Sequence, residues 1–108
     1  ACAIVDEAGP VGIDIEPLAV REDAFVQAAF SGTEQALLPS TDRDDWIIRF
    51  WCAKEAAGKR RVDGLRGNPR RVPITRIEGT RILVDGLWVN TMLHGNYVIA
   101  WTREKDGV

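Results

Sequence analysis

The chain has 108 residues, 45% of them hydrophobic and 28% charged, with a formal net charge of −2. This excludes intrinsic disorder, which needs low hydrophobicity and high net charge, and it gives no general attraction to nucleic acid or an anionic membrane. The length suits one domain, residues 1 to 108, with one core.

Two cysteines, Cys2 and Cys52, are too few for a disulfide framework and too far apart for a metal knuckle. A reduced, cytoplasmic protein is the expectation. No apolar run reaches the ~20 residues of a membrane span, and the first residues lack the basic start of a signal peptide.

In chain order, residues 2 to 5 are apolar, Asp6-Glu7-Ala8-Gly9-Pro10 supplies turn chemistry, and Val11 to Glu16 alternates with period two. A β-hairpin whose second strand is stopped by Pro17 is expected. Ala24, Phe25, Ala28 and Ala29 repeat with helical spacing between Arg21 and Phe30. Ser31 with Glu34, and Thr41 with Asp44, have capping-box spacing, so two more helices should start there. Trp46, Phe50, Ala53 and Ala57 form an apolar stripe on a long helix from about Asp42 to about Arg61, and Gly64, Gly67 and Pro69 end it. Apolar runs then begin at Val72, Ile82, Leu87 and Tyr97, separated by Glu78-Gly79, Asp85-Gly86 and Gly95-Asn96. These are antiparallel strands joined by tight turns. The expected fold is α+β, an antiparallel sheet packed against a long central helix.

Two stretches could carry chemistry. In Gly12-Ile13-Asp14-Ile15-Glu16 both acids share one face of a strand and both isoleucines the other. Such a pair is either a polar face at a strand end or a site for a hard divalent ion such as Mg²⁺, which takes carboxylate oxygens and leaves room for phosphate. In Trp51-Cys52-Ala53-Lys54-Glu55-Ala56-Ala57-Gly58-Lys59, Trp51, Glu55 and Lys59 lie on one helical face. A Glu followed four residues later by Lys is also an ordinary helix-stabilising pair. Gly58 inside the helix suggests close packing there.

Taken together, the two stretches resemble the motifs Gly-x-Asp-x-Glu and Trp/Phe-x-x-Lys-Glu-x-x-x-Lys of the 4'-phosphopantetheinyl transferase superfamily. The resemblance covers most of the chain, because the family also runs from its long helix through a Gly/Pro-containing loop into antiparallel sheet. It implies a holo-[acyl-carrier-protein] synthase that moves the phosphopantetheine arm of coenzyme A onto a serine of an acyl or peptidyl carrier protein and releases 3',5'-ADP. By the same resemblance Asp14, Glu16 and Glu55 would hold Mg²⁺, and Glu55 would take the serine proton. Lys54 and Lys59 would neutralise phosphates of coenzyme A, with Lys59 assisting the leaving group, and Trp51 would support the helix. The basic run from Lys59 to Arg71 has two polyanionic candidates, coenzyme A and an acidic carrier protein, with Arg60, Arg61, Arg70 and Arg71 as contacts. His94 is a loose match to a loop histidine of small family members.

The length resembles that of trimeric holo-acyl-carrier-protein synthases, whereas the second acid, Glu16, resembles the longer, pseudodimeric surfactin-type enzymes. By the resemblance the chain is a self-assembling unit, trimeric in the family's manner, a domain excised from a polyketide or fatty-acid synthase, or the C-terminal half of a pseudodimer. The alternative function is a non-catalytic module that binds a carrier protein or caps a subunit.

Overall fold

A computed structural model describes residues 5–6, 9–10, 12–60 and 69–102. The order is β1 (Val5–Asp6), β2 (Gly9–Pro10), β3 (Ile13–Pro17), α1 (Asp23–Ala29), α2 (Gly32–Leu37), α3 (Arg43–Arg60), a 3-10 turn (Pro69–Arg71), β4 (Ile74–Glu78), β5 (Arg81–Val84), β6 (Leu87–His94) and β7 (Tyr97–Thr102). The expected α+β architecture is present. Strands β3 to β7 form one antiparallel sheet in the order β3-β7-β6-β5-β4. Helix α3 lies across one face of it.

The N-terminal hairpin differs from expectation. It is the short pair β1-β2, while Ile13–Pro17 pairs with the C-terminal strand, Ile13 opposite Trp101 and Ile15 opposite Ile99. Local turn chemistry cannot show a partner more than eighty residues away, and β7 offers Ile15 and Ile13 apolar cross-strand neighbours. Pro17 ends β3 at the sheet's edge, where its missing N–H costs no ladder bond. Three tight turns close the other hairpins. Gly79 and Gly95 take the first turn position at φ +60° and +59°, and Asp85-Gly86 has both residues at positive φ, which a two-residue turn between twisted strands requires.

At Ser31 the capping box forms in both directions: Ser31 Oγ accepts from Glu34 N, and Glu34 Oε1 accepts from Ser31 N at 2.8 Å. The box expected at Thr41 and Asp44 is displaced. Asp42 takes the N-cap place, its carbonyl accepting from Trp46 N at 3.0 Å, with its own φ at +56°. Short acidic side chains tolerate that left-handed conformation.

Helix α3 is buried on more sides than its stripe suggested. Ile47, Ile48, Phe50, Cys52, Ala53, Ala56 and Ala57 all lie in the core with Phe30, Ile74, Ile82, Val89, Val98 and Ala100. Phe50 meets Phe30 and Trp46 edge to face, at 5.9 and 6.3 Å between ring centroids. Ala53, Ala56, Ala57 and Gly58 are all buried, so this half of the helix packs through small residues.

Beneath the middle of α3 lies a buried ionic junction. Lys54 Nζ donates to Glu34 Oε2 at 2.6 Å and to the Pro69 carbonyl at 2.9 Å, and sits 5.6 Å from the Phe30 ring centre. Glu34 Oε2 also accepts from Ile74 N at 2.7 Å. One carboxylate thus joins α2, α3, the 3-10 turn and β4.

The opposite sheet face carries an apolar band: Ile15, Ile99 and Met92 form one cross-strand row, flanked by Ile13 and Trp101 with Asn90 and by Tyr97 with His94.

Two outcomes are expected in denaturant titrations. Glu34→Ala leaves the Lys54 ammonium buried without its counter-ion and lowers stability by about 3–5 kcal/mol. Phe50→Ala opens a core cavity and costs a similar ~3–5 kcal/mol, with an unchanged denaturant slope.

Candidate active site

Strand β3 presents its acids toward α3. Directly paired residues share a face, so Asp14 lies in a row with Ala100 and Thr91, and Glu16 in a row with Val98 and Leu93, all on the helix side. Asp14 is 7% exposed, whereas its neighbour Ile15 is 44% exposed. This reverses the usual apolar-in pattern of a half-buried strand.

From α3, Lys59 reaches back to the strand: Lys59 Nζ lies 2.8 Å from Asp14 Oδ1. Asp14 Oδ2 is buried with no hydrogen-bond partner. Glu16 stands beside it, and Arg21 Nη2 approaches Glu16 Oε1 at 3.9 Å. Cys52, on the sheet side of α3, donates its thiol to the Asp14 carbonyl at 3.2 Å.

The electrostatics follow from three acids and few cations. Glu16 is pushed up to about 7, first by burial, then by the adjacent carboxylate of Asp14 and the charge of Glu55, with Arg21 pulling the other way. Glu55 is raised by burial and by Asp14, against the pull of Lys59. Lys59 is held more firmly protonated by its hydrogen bond to Asp14, although partial burial opposes this. Burial first, and then the neighbouring acids, push the Cys52 thiol far up, so it is a neutral packing group. Among the described residues, the site therefore sets three carboxylates against Lys59 and Arg21.

Of the residues expected from sequence, the structure brings Asp14, Glu16, Glu55 and Lys59 into one electrostatic group. Lys54 is not among them. It was expected against a phosphate of coenzyme A, but its ammonium is fully buried in the junction with Glu34 and Pro69, because adjacent helical residues point about 100° apart. The side chains of Arg60 and Arg70, and residues 61 to 68 with Arg61 and Arg66, lie outside the described residues. So does Cys2. His94 is exposed at the β6-β7 turn. Trp51 packs edge to face on Phe25 at 5.2 Å, consistent with support of the helix.

Sequence reasoning missed Arg21, Cys52 and the second task of Glu34. The Ser31-to-Glu34 spacing signalled a cap, and a cap uses only one carboxylate oxygen. No sequence signal connects the other oxygen to Lys54.

Among the described residues, no three His, Cys, Asp or Glu side chains are arranged to hold a metal ion. The donor chemistry nevertheless fits a hard cation: every acid offers oxygen, Asp14 Oδ2 lacks a donor, and two of the acids are raised toward protonation. No described helix is long and apolar enough to cross a membrane.

No curated protein matches the chain. A family model, that of the 4'-phosphopantetheinyl transferase superfamily, matches residues 10–107. That span takes in β3 with both acids, the whole of α3 and the five-stranded sheet. The chain belongs to the 4'-phosphopantetheinyl transferase superfamily.

Proposed function

We propose that this transferase moves the 4'-phosphopantetheine group from coenzyme A to a serine hydroxyl of an acyl or peptidyl carrier protein, as a Mg²⁺-dependent holo-[acyl-carrier-protein] synthase. One observation carries the reading: a strand that buries Asp14 beside Glu16 against the motif helix while leaving Ile15 exposed. Burying carboxylates is costly unless they are paired or bind a cation. Lys59 satisfies only one oxygen of one of them.

In the reaction the serine oxygen attacks the phosphorus bearing the pantetheine arm, the bond from that phosphorus to the 3',5'-ADP oxygen breaks, and the serine proton leaves. Glu55 takes that proton, directly or through a water. Lys59, firmly protonated, neutralises phosphate charge and assists the departing group. Arg60 and Arg70 contribute further positive charge toward coenzyme A. Asp14, Glu16 and Glu55 would hold Mg²⁺, which would supply charge neutralisation at the pyrophosphate.

The assembled form is a homo-oligomer, a trimer by the family's precedent for this length. Its support is the apolar sheet face, where Ile15, Met92 and Tyr97 are 44%, 41% and 51% exposed. Contiguous apolar surface of this kind marks an interface.

A second reading, a non-catalytic module that binds carrier proteins, draws on the Lys59 ammonium occupying Asp14. Transfer of a fluorescent coenzyme A to apo carrier proteins, with Mg²⁺ and with chelator, separates the two. The transferase labels the carrier only with metal, and Glu55→Gln lowers kcat about 10²–10⁴-fold; absence of labelling by the oligomer supports the binding module.

The raised Glu16 also gives a pH signature. A carboxyl that binds its proton more tightly when folded stabilises the fold at low pH and loses that contribution as pH rises, here between 4.5 and about 7. The contribution of Lys59 is constant across that window, since both of its states stay protonated. In chelator, the melting temperature of the wild type should fall relative to that of Glu16→Gln over this range, and a constant difference would contradict the burial of Glu16.

A further inference from the structure

Lys54 stands next to Glu55 in the sequence yet faces away from the acids. Its ammonium is 0% exposed, bonded to Glu34 Oε2 at 2.6 Å and to the Pro69 carbonyl at 2.9 Å. Glu34 in turn is pinned by Ser31 N at 2.8 Å and Ile74 N at 2.7 Å, so the carboxylate has no freedom to follow a moving lysine. We propose that Lys54 is a positioning residue: its buried pair with Glu34 fixes the rotation of α3 about its own axis and thereby aims Glu55 and Lys59 at Asp14. The proposal rests on the transferase reading for its catalytic consequence.

The physical argument is one of leverage. Side chains extend ~5–6 Å from a helix axis, so a rotation of ~20° displaces their tips by ~2 Å. That displacement would break the 2.8 Å contact between Lys59 and Asp14. Packing resists rotation mainly in the first half of α3, through Ile47, Ile48 and Phe50; in the second half, beside the site, the core surface is Ala53, Ala56 and Ala57, whose side chains give little relief. Directional bonds resist it strongly. Three reach out from α3: Arg49 Nη1 to Thr91 Oγ1 at 2.7 Å, Cys52 Sγ to the Asp14 carbonyl at 3.2 Å, and Lys54 to Glu34 and Pro69. Arg49 lies ten residues from Lys59 and the thiol is a weak donor, so at the end of the helix that carries Glu55 and Lys59 the ionic junction is the strongest constraint. A buried ion pair is often no more stabilising than apolar residues of the same volume, which leaves geometry as its contribution.

The test compares the wild type with Lys54→Met/Glu34→Gln, which removes both charges together and so avoids an unpaired buried ion. Two quantities are read well below the melting temperature: Mn²⁺ affinity by titration calorimetry, and kcat and KM for coenzyme A in the transfer assay. The double variant should fold, bind Mn²⁺ about 10–100-fold more weakly and lose about 10–100-fold in kcat, as supporting residues of metal sites do, with KM for coenzyme A nearly unchanged. Val89→Ala serves as the control, since it weakens the core on β6, away from the junction, and should preserve both readouts. A double variant that binds Mn²⁺ and turns over like the wild type overturns the proposal, as does a Val89→Ala protein with the same losses. If the double variant does not fold, Glu34→Asp replaces it. This shortens the carboxylate with every charge retained, and wild-type behaviour from it overturns the proposal equally. A wild type that binds Mn²⁺ but transfers nothing removes the transferase reading, and the Mn²⁺ comparison still decides on Lys54. A wild type that neither binds nor transfers removes both.

Discussion

The buried pair between Lys54 and Glu34 lies where four elements meet, and their mutual placement depends on it. Glu34 caps α2 with one oxygen and receives Lys54 and the first amide of β4 with the other, while Lys54 also holds the Pro69 carbonyl. Each of these polar groups is removed from water, so each needs its partner. The chain cannot shift α3 against α2 or β4 without leaving a charge or an amide unsatisfied in the core. The motif helix is therefore held by polar geometry as well as by apolar contact.

The reversal of strand β3 is the second constraint. Its acids face α3 and its isoleucines face outward, where the hydrophobic effect acting on a lone subunit would choose the opposite. Two contributions oppose that preference. On the inner side, Lys59 meets Asp14, and Arg21 meets Glu16. On the outer side, Ile15 is not isolated, since Ile99 and Met92 continue its row across the sheet. A one-residue slip of register would exchange the faces and lose both.

The charge balance of the site explains its tuning. Burial first, and then the charge of Asp14, make Glu16 and Glu55 hold protons more tightly than usual, and its hydrogen bond to Asp14 makes Lys59 harder to deprotonate. Arg21 moderates Glu16 from outside and stacks on Phe25, whose ring meets Trp51. The aromatic residue of the helix motif is thereby linked to the acid of the strand motif through packing.

The sequence by itself determined the α+β class, the long helix, the tight turns and the spacing of Asp14, Glu16, Glu55 and Lys59. These depend on local signals: period-two and period-3.6 patterns, glycines at positive φ, and a capping box. The four residues could be grouped because two short motifs carry fixed internal distances. Tertiary structure alone decided that β3 pairs with β7 and not within an N-terminal hairpin, since strand partners far apart in the chain leave no local mark. It also decided that Lys54 turns inward to Glu34 while Glu55 beside it turns to the acids. Adjacent helical residues differ in direction by about 100°, and which direction is core and which is site depends on what the rest of the chain packs against each.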